Sequence, residues 1–185
     1  AGGRAGGHWL GQYQAIRSIN TVLAAVPNAS ELSAAERSAL SGFAKTNKAW
    51  HLYRLAIRSG TTGIPTDVDR PIAEEPAPFV AFDAAMAEAS ALMDEANTEL
   101  AAGGAAFPFD FVPGYTGFTT PATFATFNRA LAAKILVHRA TFNACTACWA
   151  QASTAINASF INPAGSLATG VYYGYTGAPG ELNNP

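Results

Sequence analysis

Residues 78–100 read PFVAFDAAMAEASALMDEANTEL. Phe79, Phe82, Met86, Ala89, Met93, Ala96 and Leu100 recur at alternating spacings of three and four. That period places apolar side chains on one face of an α-helix. Pro78 suits the first helical turn, where its missing N–H costs nothing, and Gly103-Gly104 close the segment. The stretch predicts a helix over 78–101.

The same test applied outward finds four more stripes. Trp9, Tyr13, Ile16, Asn20 and Leu23 predict a helix near 9–26, stopped by Pro27 and Asn28. Ser33 and Glu36 have capping-box spacing. Behind them Leu40, Phe43, Asn47, Trp50, Tyr53 and Ile57 predict a helix near 33–59, ended by Gly60, with Trp50 in the core. Thr120 caps and Pro121 opens a fourth helix, near 121–143, striped by Phe124, Phe127, Leu131, Ile135, His138 and Phe142. Trp149, Ala152, Ile156 and Phe160 predict a fifth near 148–160. Between the helices lie loops rich in Gly and Pro, and the opening residues 1–7 read as a loop too. No segment alternates long enough for a sustained strand, although 170–175 could add a short one. The expected fold is all-α, with tetratricopeptide-like helical hairpins and long aromatic loops, in a single domain over 1–185.

Composition agrees. Forty of 185 residues are alanine, 49% are hydrophobic and 13% charged, which excludes a disordered chain. A net charge of −2 argues against a general nucleic-acid binder. No apolar run reaches the roughly 18–20 residues of a membrane-spanning helix. Residues 67–99 carry nine acids and one base, Arg70, whereas the segments on either side are basic. Either these are solvated faces, or an acidic third helix packs between two basic neighbours.

Chemistry is sparse. Cys145-Thr-Ala-Cys148 lies where the fourth helix should give way to the fifth. Without a βαβ context it reads as a disulfide clamp or as two small hydrophobes rather than a redox pair. The scattered His8, His51 and His138 supply no zinc site, and no metal is expected. Asp67, Asp69, Glu74 and Glu75 resemble a calcium loop, but Pro71 and Ile72 stand where a ligand and the turn glycine belong. No arrangement of nucleophile, base and orienting group is visible, so no catalytic residue, cofactor or enzyme activity is expected. What stands out is aromatic. Seven of 20 aromatic residues fall between Phe107 and Phe127, and Tyr172, Tyr173 and Tyr175 follow later. Phe109, Phe111, Tyr115, Phe118, Tyr173 and Tyr175 lie on loops. Such rings either staple a loop to the helices or offer flat faces to a ligand such as a sugar.

The order of these pieces resembles the SusD/RagB family of outer-membrane nutrient-binding lipoproteins. Tyr13, Ile16 and Asn20 match that family's Tyr-x-x-Ile-x-x-x-Asn helix. Gly42-Phe43-Ala44, Lys48-Ala49-Trp50-His51-Leu52-Tyr53 and Gly63-Ile64-Pro65 follow as its next helix and Gly-x-Pro loop, with Phe43 and Lys48 in place of the family's Glu and Arg. Residues 79–100 and the segment Phe127-Asn-Arg-Ala-Leu-Ala-Ala133 look like its two further helices. The resemblance implies a non-enzymatic protein on the extracellular face of the outer membrane. It would be anchored by an N-terminal lipid outside this chain, as part of a longer protein. It would pass an oligosaccharide or other oligomeric nutrient to a TonB-dependent (SusC-like) transporter. The competing expectation is a helical-repeat scaffold that binds only protein.

Overall fold

Helix ends fall where local hydrogen-bonding chemistry places them. The computed structural model describes residues 4–71, 73–143 and 145–172. Five helices run α1 (Arg4–Ala25), α2 (Ala34–Ser59), α3 (Phe82–Ala101), α4 (Pro121–Phe142) and α5 (Ala147–Asn157). The fold is all-α, and the described residues contain no strand beyond an isolated antiparallel bridge between Ile64 and Val80.

At the start of α2 the Ser33 amide donates to Glu36 Oε2 (2.8 Å), and the Glu36 amide donates to Ser33 Oγ (3.2 Å). This reciprocal box satisfies amides that a helix start leaves open and holds the Glu36 carboxyl below the ordinary range. Thr120 and Thr123 make the equivalent exchange before α4. Two starts differ from expectation. α1 begins at Arg4, so Gly6 and Gly7, read as loop, are helical; Trp9, packed on Tyr13 and Phe79, anchors this end against glycine's poor helix propensity. α3 begins at Phe82 rather than 78, because Ile64 and Val80 exchange backbone hydrogen bonds (3.2 and 2.9 Å) that keep the preceding residues extended. Phe79 therefore leaves the core stripe and is 57% exposed.

Each helix packs against its neighbours in the chain. The pairs Ser38–Glu99 and Lys45–Glu95 make α2 and α3 antiparallel, and Asp94–Arg129 with Leu100 near Phe124 does the same for α3 and α4. α2 and α4 run parallel: Asn128 Nδ2 donates to Thr46 Oγ1 (2.8 Å), and Tyr53 Oη lies 2.9 Å from His138 Nδ1. Asn128 is fully buried and also lies 3.4 Å from Met93 Sδ, so one amide ties three helices. The acidic α3 lies between basic partners. Lys45 of α2 pairs with Glu95 (2.9 Å) and Glu99 (2.8 Å), and Arg129 of α4 with Asp94 (2.7 Å). Burial opposes the Lys45 charge, but its hydrogen bonds to the two glutamates raise its pKa. Pairs this exposed contribute about 0–1 kcal/mol each.

The α3 stripe is buried as read, from Met86 through Leu100. The α2 stripe is not. Ala39, Gly42, Thr46, Ala49, Leu52 and Ala56 face inward, each one residue before a member of the read stripe; of that stripe Tyr53 alone is buried, and Trp50 is half-buried beneath Lys134. Small residues set this face because they let α3 approach closely. A Cβ on Gly42 would sit 2.7 Å from Leu100 Cγ and 2.9 Å from the Ala96 carbonyl oxygen. α5 follows the same rule. Cys148, Ala152 and Ala155 face α4, whereas Trp149 and Ile156 are exposed.

Cys145 and Cys148 form a disulfide at the start of α5, with Cα atoms 5.4 Å apart. Closing so short a ring removes little freedom from the unfolded chain, so reduction should cost no more than about 2 kcal/mol. Thiol titration of the native, unreduced protein should find no free thiol, and two would refute the bond.

Candidate functional site

α1 presents Trp9, Tyr13, Arg17 and Asn20 at spacings of four, four and three, on one face. The segment between α2 and α3 lies across that face. Gly60 (φ 53°) ends α2, Gly63 (φ 73°) turns the chain, and the Ile64–Val80 bridge closes the far side. The Tyr13 hydroxyl donates to the Pro65 carbonyl (2.8 Å), and Arg17 Nη1 donates to the Val68 carbonyl (3.2 Å). Arg70 braces the segment from within, through Asp67 (2.8 Å) and the Glu75 carbonyl (3.2 Å).

Between helix and segment runs a trough with two compartments, which share Arg17 and Val68. The aromatic compartment, about 420 Å³, is walled by Trp9, Tyr13, Phe79 and prolines. The Trp9 and Phe79 rings lie 17° from parallel with centroids 6.2 Å apart, and Tyr13 packs 5.0 Å from Trp9. Burial raises the Tyr13 pKa far above its ordinary value, so the hydroxyl stays a neutral donor. The polar compartment, about 520 Å³, is lined by Asn20, Lys48 and Asp69 among others. Lys48 Nζ stands 3.9 Å from Asp69 Oδ2, too far for a tight pair. The Asn20 amide is shielded, and neither of its polar atoms has a partner among the described residues. Arg17, Lys48 and Arg70 line the two compartments together with Asp67, Asp69, Glu74 and Glu75, a net charge of −1.

The loop aromatics singled out from sequence lie elsewhere. Phe109, Phe111 and Tyr115 pack with Phe43, Phe107 and Phe124 into a second hydrophobic cluster beside Ala39 and Leu100. Phe43 alone has the rings of Phe107, Phe109, Phe111 and Phe124 within 5.0–6.1 Å. Phe118 is buried against Phe127 and Phe160. These four rings fasten the loop to the helices. Tyr173 and Tyr175 lie outside the described residues. The trough aromatics Trp9, Tyr13 and Phe79 carry the helical spacing of core stripes in the sequence. The available signal was Arg17, one turn beyond Tyr13 on what should have been an apolar face.

Among the described residues no three His, Cys, Asp or Glu side chains gather as a metal site, and no helix is long and apolar enough to cross a membrane. His51 Nδ1 donates to Gln12 Oε1, and His138 stands by Tyr53. Burial first, then Arg54, lowers the His51 pKa; burial and Lys134 do the same for His138. The folded state therefore favours the neutral rings, while the unfolded chain takes up protons near pH 6.5. The unfolded state binds more protons below that pH, so stability should fall as pH drops from 7 toward 5. Guanidinium midpoints across that range check this, and His51→Gln should flatten the slope.

Comparison with known proteins finds no match to a family model, to a curated protein or to a solved structure.

Proposed function

We propose that this protein is a SusD-like surface nutrient-binding protein. It captures a glycan or other oligomer at the outer membrane and delivers it to a TonB-dependent transporter. One observation carries the reading: the helix that opens the resemblance and its Gly-x-Pro loop meet. Tyr13 of the Tyr-x-x-Ile-x-x-x-Asn helix donates its hydroxyl to Pro65 of the Gly-x-Pro loop, and together they wall the trough. Consecutive antiparallel helices are also the arrangement that tetratricopeptide-like hairpins use. The test has two parts. Protease added to intact native cells should remove the protein, and the neighbouring reading frame should encode a TonB-dependent transporter that co-purifies with it. Protection from protease together with an unrelated neighbour would overturn the proposal.

A second reading, a scaffold that binds protein alone, draws on the exposed Phe142, Trp149 and Ile156 at the α4–α5 end. It predicts a stable protein complex with no transporter in it.

A further inference from the structure

We infer that the trough along α1 is the binding site, and that it takes an extended, uncharged, hydroxyl-rich oligomer: a neutral oligosaccharide of more than two units. The inference rests on the nutrient-binding reading and locates its ligand away from the aromatic loop of residues 107–118.

Three observations lead there. The first is an aromatic platform. Phe79 is 57% exposed although Trp9 supports it nearly parallel from beneath. Isolated exposed rings are common on surfaces, but this one is braced and opens into a cavity. Its flat face suits the C–H face of a sugar ring. The second is charge. Three cations and four carboxylates line the trough, so it offers both donors and acceptors at a net charge of only −1. A polyanion would meet Asp67, Asp69, Glu74 and Glu75; a polycation would meet Arg17, Lys48 and Arg70. Adjacent hydroxyls, each both donor and acceptor, satisfy both signs. The third is length. The two compartments adjoin at Arg17 and Val68, so a ring on Phe79 leaves the second cavity to the next units of a chain. There the 3.9 Å gap between Lys48 and Asp69 leaves both groups able to bond a hydroxyl.

The test is calorimetric titration of the disulfide-intact chain with neutral hexasaccharides of α-1,4-glucan, α-1,6-glucan, β-1,4-glucan, β-1,4-mannan and β-1,4-xylan, and with their disaccharides. At least one hexasaccharide should bind, more tightly than its disaccharide. Phe79→Ala should weaken both lengths about tenfold. Asp69→Ala should weaken the hexasaccharide about tenfold and leave the disaccharide within a factor of two. Both side chains are largely exposed, so the variants should keep the parent's circular dichroism, and Trp149→Ala serves as a remote control. A hexasaccharide that binds the parent and both variants equally overturns the trough as the site and leaves the nutrient-binding reading intact. If no hexasaccharide binds, the inference fails, and the transporter reading stands or falls on its own test. Equal affinity for both lengths overturns the two-compartment assignment.

Discussion

Phe124→Ala should lower the unfolding free energy by about 3–5 kcal/mol, the range for removing a large ring from a packed core. Phe124 is completely buried at the first turn of α4. Its ring lies 5.1 Å from Phe43, 5.7 Å from Phe107, 5.5 Å from Phe127, 6.0 Å from Phe111 and 6.1 Å from Tyr115. One side chain thus joins α2, α4 and the long loop between α3 and α4. Truncating it opens a void and also loosens the rings that hold that loop. For a chain of this size the loss corresponds to a fall in Tm of about 6–20 °C. Phe124→Leu, which keeps most of the volume, should retain most of the stability. A guanidinium unfolding curve that moves by less than about 1 kcal/mol for Phe124→Ala would show that the cluster does not brace the fold.

Gly63→Ala should cost about 3 kcal/mol and dismantle the trough wall, for two separable reasons. Gly63 has φ 73° and ψ −173°, a backbone region open essentially to glycine alone. A Cβ there would also stand 2.0 Å from the Val80 carbonyl oxygen, a backbone atom that cannot yield without breaking the Ile64–Val80 bridge. Gly60 is the comparison. It too has positive φ (53°), but a Cβ there would meet nothing within 4 Å, so Gly60→Ala should cost only about 1–2 kcal/mol. The difference between the two variants in denaturant unfolding isolates the clash. Equal losses would show that the bridge does not hold the segment in place.

The five helices were legible because their signals are local. Capping residues and apolar spacing act within one or two turns, and Ser33, Glu36, Thr120 and Pro121 perform the expected tasks. Which face turns inward was less legible. In α2 and α5 the large side chains advertise one stripe, while Ala39, Gly42, Ala49, Ala152 and Ala155 set the line of closest approach. A partner helix reads steric height, and hydrophobic weight alone does not report it. The start of α3 was misplaced because the bridge that keeps Val80 extended has its other half at Ile64. The trough escaped for the same kind of reason. Its walls meet through bonds that span 52 and 51 residues of sequence, and Trp9, Tyr13 and Phe79 carry the spacing of a core stripe. The loop aromatics allowed two readings, and the packing of Phe109, Phe111, Tyr115 and Phe118 matches the one in which they staple the loop to the helices.

The serial packing of the helices sets how the chain can reach its fold. Because α1 meets α2, α2 meets α3, α3 meets α4 and α4 meets α5, most helix–helix contacts join elements adjacent in the chain. Loop closure between adjacent elements is cheap in chain entropy, and low contact order goes with rapid folding. The same arrangement grades stability along the chain. α2, α3 and α4 are held on both sides, whereas among the described residues α1 packs on α2 alone and α5 on α4 alone, so opening can begin at either end while α2, α3 and α4 stay closed. The trough spans the α1–α2 end, so fraying of α5 leaves its walls in place, whereas release of α1 would take one wall away.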